Sequence, residues 1–222
     1  MSSAARAAPR IRDGVRAALP LVPGPVLFGL SFGVFAETAG LSGAAAVLMS
    51  ATTFAGAAQF AAASVLSTGG TAAAAILAAV LLNARYVGMS IAVASIFPGG
   101  RPPRLVESQL IVDESWAVSA RPGGRFDARV LVIAGLILYV AWVAGTALGL
   151  VTGQALGDPR ALGLDGAFPA LFLALLVPHL RTRRAVASAV IGGLIAVALL
   201  PFTPSGLPII AAASAALIGL RR

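Results

Sequence analysis

Four residues in the middle of a long apolar run, Asn83-Ala84-Arg85-Tyr86, have side chains suited to binding a small anionic group. The guanidinium of Arg85 presents a planar set of donors that matches a carboxylate. Asn83 adds a donor and an acceptor, and Tyr86 adds a hydroxyl on an apolar ring. An arginine at the centre of a membrane helix costs about 2.5–3.5 kcal/mol. A binding site is therefore favoured over the structural alternative, an arginine that caps a helix or reaches the membrane surface.

Gln59 is a second polar side chain in apolar surroundings, within the stretch 44–66. An unpaired amide in hydrocarbon is costly, so Gln59 is expected to face protein or water. On a continuous helix, Thr52, Gly56 and Gln59 share one face, because they are four and then three residues apart. The two interpretations are a contact with the transported molecule and a hydrogen bond between helices.

Asp113 and Glu114 form an acidic pair inside another apolar window. Ionisable residues at membrane depth commonly act as counter-ions or carry protons. The pair could neutralise Arg85, bind a substrate ammonium group or couple transport to protons. The structural alternative is a helix at the membrane surface with solvated acids. Adjacent residues of a helix point about 100° apart, so one of the two is expected to face a given partner.

The composition predicts an all-α polytopic membrane protein with a single membrane domain over residues 1–222. The chain is 59% hydrophobic and 11% charged, whereas soluble domains average about 45–50% and about 25%. The net charge of +8 comes from arginines between the apolar runs and not from a basic stripe with interleaved aromatics, which excludes nucleic acid as a partner. With no cysteine, a single histidine (His179) and no catalytic motif, we expect no metal, no cofactor and no enzymatic activity.

About seven hydrophobic segments follow a basic cytoplasmic tail (1–16), with a polar, arginine-containing loop at 98–128. The segments cover residues 17–36, 44–66, 71–97, 130–151, 164–180, 185–200 and 207–220. The first segment is predicted to be broken or kinked, since prolines interrupt the helical hydrogen bonds; the alternative is a helix that begins only after Pro25. The break is predicted at Pro23, Gly24 and Pro25. Gly29 and Gly33 form a GxxxG pair, which favours close helix packing.

The arginines predict a multi-pass protein of the bacterial inner membrane with both termini in the cytoplasm, because cytoplasmic loops carry the excess of arginine. From the fourth segment onward, arginine-rich loops on the cytoplasmic side alternate with arginine-poor loops on the outer side. Before it, three simple crossings would place the arginine-rich 98–128 loop outside. Two solutions are open: the segment 71–97 is re-entrant with Arg85 at its tip, or residues 103–119 form an extra crossing.

Four motifs, in order and with matching spacing, resemble those of the AzlC family of branched-chain amino acid exporters. They are Pro23-Gly24-Pro25-Val26-Leu27-Phe28-Gly29-Leu30-Ser31-Phe32-Gly33, Phe54-Ala55-Gly56-Ala57-Ala58-Gln59-Phe60, Asn83-Ala84-Arg85-Tyr86 and Asp113-Glu114-Ser115-Trp116. Tyr86 stands where the family often has histidine, and Val112 where threonine is usual. The missing histidine argues against a proton-carrying role at position 86.

The resemblance implies a secondary exporter of valine, leucine or isoleucine, coupled to the proton gradient. It also implies a partner, a small AzlD-type membrane subunit, with this chain as the large subunit. On this reading, the residues expected to bind and translocate the substrate are Arg85, Asn83, Tyr86, Gln59, Gly56 and Phe28. Asp113 or Glu114 would supply counter-charge or coupling. The rival functions are a non-transporting membrane scaffold, whose polar groups only hold a partner, and a channel-like exporter of other small zwitterions.

Overall fold

The computed structural model describes residues 11–97, 99–156, 173, 176–177, 180–203 and 207–220. Helices account for most of them, which confirms the predicted helical class. The helices are α1 (Ile11–Ala18), α2 (Pro23–Thr38), α3 (Gly43–Thr53), α4 (Gly56–Ser67), α5 (Ala72–Asn83), α6 (Arg85–Val93), α7 (Arg101–Ser108), α8 (Asp113–Ser119), α9 (Ala128–Leu156), α10 (Arg183–Leu199), α11 (Leu207–Ala213) and α12 (Leu217–Leu220). Short 3₁₀ turns cover Leu19–Leu21, Ala94–Ile96 and Ser214–Ala216, and a two-stranded hairpin pairs β1 (Ala120–Arg121) with β2 (Arg125–Phe126).

Among the described residues, α9 alone is long and apolar enough to cross a membrane as one helix. Two further pairs qualify only when the halves on either side of a bend are taken together. Most of the predicted segment 164–180, including His179, lies outside the described residues.

Both predicted helix breaks are present. The axis bends by 54° between Ile11–Leu21 and Pro23–Thr38. Pro23 and Pro25 occupy the first turn of α2, where a missing backbone donor costs little. The second bend, of 43°, separates α5 from α6 at Ala84. The sequence located these two discontinuities correctly.

Helix α2 packs on α9 with backbone touching backbone, as the GxxxG spacing predicts. A Cβ built on Gly29 would lie 2.5 Å from the Trp142 carbonyl oxygen, and one on Gly145 would lie 2.6 Å from that of Val26. A Cβ on Gly33 would likewise meet the carbonyl oxygen of Thr146. Glycine is required here because any larger residue would push the two helices apart.

Helices α1 and α2 run parallel to α9. Gly14 lies against Ile133, Val26 against Gly145, and Leu30 against Gly149, so the residue numbers rise together on both sides. The N-terminal end of α1 and the start of α9 are therefore at the same end of the bundle. Because α9 begins where the arginine-rich 98–128 loop stops, the end of this loop and the described part of the basic tail, residues 11–16, share one side.

The second apolar segment is not the continuous helix expected over 44–66. It breaks between α3 and α4, where Phe54 adopts a left-handed conformation with φ of 43°. Side chains from elsewhere satisfy the carbonyls freed at the end of α3: the Tyr139 hydroxyl donates to Ala51 (2.9 Å) and the Gln109 amide donates to Thr52 (2.8 Å). The prediction that Thr52 shares a helical face with Gly56 and Gln59 is wrong for this reason.

Helix α3 approaches the middle of α9, and α4 returns. Gly43, which begins α3, lies 3.6 Å from Leu150 as measured from an ideal Cβ. Further along α3, Ser50 shares a hydrogen bond of 2.8 Å with Thr146.

Helix α4 runs back alongside α3. Gly56, at the start of α4, lies beside Trp142, and three residues later the Gln59 amide is back at Ser50 (2.9 Å). The next residue, Phe60, packs its ring against Phe32, with centroids 5.5 Å apart. We infer that α3 and α4 form a re-entrant hairpin that enters and leaves at the same end of α9.

The bent pair α5–α6 continues across the bundle. Twelve residues of α5 are followed by nine of α6 and three of the 3₁₀ turn. At 1.5 Å per residue, halves of about 18 Å joined at 43° span about 33 Å, close to the hydrocarbon thickness. Its end packs against Leu131, near the start of α9, through Val93 and Phe97. Residues 103–119 form parts of two short helices of eight and seven residues, neither long enough to span.

Three simple crossings would have placed the arginine-rich 98–128 loop outside. A re-entrant segment resolves this conflict, but it is not the segment that the sequence analysis considered. We infer from this packing that α3–α4 is the re-entrant element and that the bent pair α5–α6 crosses. The basic tail and the 98–128 loop then lie on one side, as the distribution of arginines requires.

Single-cysteine variants test this topology, since the chain has no native cysteine. Ser42, Ser67 and Ser95 are exposed at the ends of α3, α4 and α6. We expect a membrane-impermeant thiol reagent to label Ser42→Cys and Ser67→Cys from one side and Ser95→Cys from the other. Labelling of Ser67→Cys and Ser95→Cys from the same side would contradict the crossing by α5–α6.

Candidate functional site

A cavity of about 80 Å³ lies at the tip of the α3–α4 hairpin, where α2, α6, α8 and α9 also meet. A cavity needs roughly 10–15 Å³ of such volume to hold one water, so this one has room for several waters. Its lining residues are Pro25, Phe28, Phe54, Gly56, Ala57, Phe60, Arg85, Tyr86, Val112, Asp113, Glu114, Leu138 and Trp142.

Arg85 begins α6 and forms the positive side of the cavity. Its Nη2 lies 2.8 Å from Oδ2 of Asp113 and donates to the Tyr86 hydroxyl at 3.4 Å. The guanidinium carbon is also 5.1 Å from the centre of the Tyr86 ring, within the range of a cation–π contact. The Arg85 and Asp113 side chains remain 38% and 50% exposed, so the ion pair is accessible from the cavity.

Asp113 and Glu114 form the first turn of the short helix α8. Ser115 fixes the chain just before them: its hydroxyl accepts from the Val112 amide (3.0 Å) and donates to the Leu110 carbonyl (2.7 Å). Desolvation raises the pKa of Glu114 above the usual range for a glutamate, although part of its side chain reaches the surface, and the negative charge of Asp113 adds to this effect. Glu114 therefore accepts a proton at a higher pH than an ordinary glutamate.

The N-terminus of α4 contributes backbone to the cavity wall through Gly56 and Ala57. No side chain caps this helix. A helix N-terminus carries about half a positive charge from its unpaired amides. Together with Arg85, it makes this part of the cavity favourable for an anion.

Gln59 lies behind the cavity and not in its wall. The side chain is fully buried; its amide donates to Ser50, and its carbonyl oxygen accepts from the Ala55 amide at 3.3 Å. Ser50 in turn bonds to Thr146 of α9. This is the helix–helix hydrogen bond that was the structural alternative, and it holds the hairpin in position.

Asn83 also lies outside the cavity, at the last residue of α5, and its Oδ1 atom is buried without a partner among the described residues. Of the first-segment residues, Pro25 and Phe28 reach the cavity wall. The remaining candidates of that segment, Pro23, Gly24, Gly29 and Gly33, lie elsewhere on α2. The structure thus brings together Phe28, Gly56, Arg85, Tyr86, Asp113 and Glu114.

The sequence did not identify the apolar wall that α9 supplies. Leu138 and Trp142 lie one turn apart on this helix and both line the cavity. Trp142 is only 5% exposed, and its indole nitrogen has no hydrogen-bond partner among the described residues. A signal was available, because tryptophans of membrane helices concentrate at the membrane surface and this one lies mid-helix.

Broken helices around a small, ion-paired cavity are typical of the membrane proteins that move solutes. Residues 20–156 match the family described as AzlC protein, and this range contains every residue of the cavity. The chain therefore belongs to the AzlC family of membrane proteins.

Two relatives agree with this assignment. The chain is 35% identical over 206 residues to an uncharacterized membrane protein of Archaeoglobus fulgidus, covering 92% of this chain and 91% of the relative. It is 25% identical over 162 residues to a protein of Bacillus subtilis named branched-chain amino acid transport protein AzlC, covering 72% of this chain and 63% of that protein. No solved structure matches the chain.

Proposed function

We propose that this protein is the large subunit of a secondary exporter of branched-chain amino acids, and that the cavity is its substrate site. The observation that carries the proposal is the accessible pair of Arg85 and Asp113, set 2.8 Å apart beside an apolar wall. A zwitterion with an apolar side chain has the complementary chemistry. The name of the Bacillus subtilis relative supports this substrate class.

Binding exchanges one set of charge pairs for another. The substrate carboxylate takes the place of Asp113 on Arg85, assisted by the N-terminus of α4. The substrate ammonium pairs with the released Asp113. Because each charge keeps an opposite partner, the exchange avoids leaving a buried charge unpaired, which is costly. The apolar side chain contacts Phe28, Leu138 and Trp142.

Proton coupling is assigned to Glu114. Its raised pKa brings protonation closer to neutral pH, so a proton can bind or leave as the substrate does. Protonation removes a negative charge next to Asp113 and Arg85. The bend at Ala84 and the hairpin break at Phe54 lie on either side of the cavity and provide the joints for opening it.

The location and partner follow from the same function. With arginine-rich loops on the cytoplasmic side, the basic tail and the 98–128 loop face the cytoplasm of a bacterial inner membrane. A small AzlD-type membrane subunit completes the exporter.

Resistance to a toxic leucine analogue tests the function in cells without other exporters for it. Cells that produce this protein with its small partner should tolerate several-fold more analogue than cells that produce the partner alone. The same comparison without the partner measures how far the chain acts by itself. Unchanged sensitivity, with both proteins present in the membrane, would contradict the proposal.

The alternative is a non-transporting membrane scaffold. In that case the ion pair of Arg85 and Asp113 would only hold α6 against α8. A charge exchange, Arg85→Asp with Asp113→Arg, separates the two. A structural pair should regain function when both charges are swapped. We expect no recovery of export, because the swapped charges meet the substrate's own groups in the wrong positions. Substantial recovery would favour the scaffold.

A further inference from the structure

We propose that Gly56 and Trp142 together set the size of the side chain that the cavity accepts. This inference rests on the proposed function and locates the side-chain subsite within it. The two residues are neighbours in the cavity wall. Gly56 lies at the tip of the α3–α4 hairpin and Trp142 lies on α9.

The indole occupies the space that any larger residue at position 56 would need. A Cβ on Gly56 would lie 2.7 Å from Cη2 of Trp142, 3.1 Å from Cζ3 and 3.5 Å from Cζ2. The first distance is too short for two carbon atoms in van der Waals contact. Glycine at position 56 is thus what allows the outer edge of the indole to contact the hairpin tip.

The ring has little room to retreat on its other side. Trp142 stacks on Phe32 with centroids 6.3 Å apart and planes at 25°. Phe32 is itself fully buried and held edge-on by Phe60. The backbone of Trp142 is fixed as well, since its carbonyl contacts Gly29 of α2. A side chain added at position 56 would therefore displace the indole into the cavity and reduce its volume.

The indole nitrogen gives Trp142 a second, separable effect. It is a buried donor without an acceptor among the described residues, and nearly all buried donors in proteins have one. Trp142→Phe removes this donor together with part of the ring. Because all amino acids share the same backbone groups, the lost donor would change the transport of each by a similar factor. A change in ring size would instead alter the ratio between small and large substrates.

Transport of alanine, valine, leucine and phenylalanine into vesicles containing the protein and its small partner tests the proposal. Gly56→Ala should lower leucine transport relative to alanine by at least about tenfold, the lower end of the effect of one methylene in an apolar pocket. Trp142→Phe should raise the ratio of phenylalanine to leucine. Gly88→Ala, on α6 with nothing within 4 Å of its added Cβ, is the matched control and should leave all ratios unchanged.

The double variant Gly56→Ala with Trp142→Phe should recover the leucine-to-alanine ratio, because the smaller ring leaves space for the added methyl group. A uniform loss across all four substrates in Gly56→Ala would overturn the inference while leaving the proposed function intact. If Gly56→Ala does not accumulate in the membrane, an unchanged ratio in Trp142→Phe alone overturns it. Absence of transport of every neutral amino acid by the unaltered protein would overturn the proposed function itself.

Discussion

Replacement of Arg85 by alanine is expected to abolish amino acid export while the protein still inserts in the membrane. The guanidinium is the cationic side chain of the cavity, and its loss removes the charge-assisted bonds to the substrate carboxylate. Two such bonds are together worth about 3 kcal/mol or more, which corresponds to a loss of about a hundredfold or more. Initial rates of leucine transport, normalised to the amount of protein in the membrane, provide the measurement.

A second arginine pair supplies the control for this variant. Arg121 lies 3.5 Å from Asp127 in the polar loop, away from the cavity. Arg121→Ala also removes one ion pair and one positive charge, yet should retain most of the transport. Wild-type rates in Arg85→Ala would refute the assignment of Arg85 to the substrate, and equal losses in both variants would indicate a general effect of charge.

Substitution of Gly33 by valine is expected to destabilise the folded protein more than any change in the cavity wall. An added Cβ would meet the carbonyl oxygen of Thr146 and would lie 2.9 Å from the Leu150 amide and 3.0 Å from Cα of Gly149. These are backbone atoms, so α2 and α9 must separate. Overpacking typically costs about 1–3 kcal/mol, and we expect the upper end or more here. Thermal unfolding in detergent measures the effect.

Gly193→Val is the matched control, because Gly193 lies in the helix α10 with nothing within 4 Å of its added Cβ. It introduces the same β-branched residue into a helix without a close contact. The two midpoints of unfolding should differ by several degrees. Equal stability of the two variants would show that α2 and α9 are not in backbone contact.

The features that the sequence predicted correctly are those that depend on local chemistry. Prolines at the start of α2 break a helix wherever they occur, and the spacing of Gly29 and Gly33 indicates a close helix contact before the partner is known. The cost of Arg85 in an apolar run likewise indicated a site without any structure. Six residues predicted for the site, from local chemistry and from the family resemblance together, line one cavity, and their role in binding stays a prediction.

The hairpin could not be predicted because its break depends on distant residues. Phe54 and Ala55 carry no helix-breaking side chain, and an uninterrupted helix is the natural reading of the stretch 44–66. The break is stabilised by hydrogen bonds from Gln109 and Tyr139, which are 57 and 88 residues away along the chain from the carbonyls they bind. Sequence periodicity contains no information on such bonds.

The apolar wall was missed for a similar reason. Trp142 becomes part of the cavity because α9 packs in parallel with α2 and so brings its mid-helix residues to the hairpin tip. Neither the pairing of these helices nor their relative direction follows from composition. Gln59 illustrates the converse: it was predicted to face protein or water, but its partners, Ser50 and the Ala55 amide, belong to the hairpin.

Fluorescence of Trp142 tests the central claim, that the cavity binds a branched-chain amino acid, most directly. The chain has two tryptophans, and Trp116→Phe leaves Trp142, in the wall of the cavity, as the single tryptophan of this chain; any tryptophan of the partner is replaced as well. Addition of leucine to this variant, purified with its small partner, should change the emission with a saturable dependence on concentration. The change should disappear when Arg85→Ala is added. Leucine transport by the Trp116→Phe variant without any change in Trp142 emission would contradict the account.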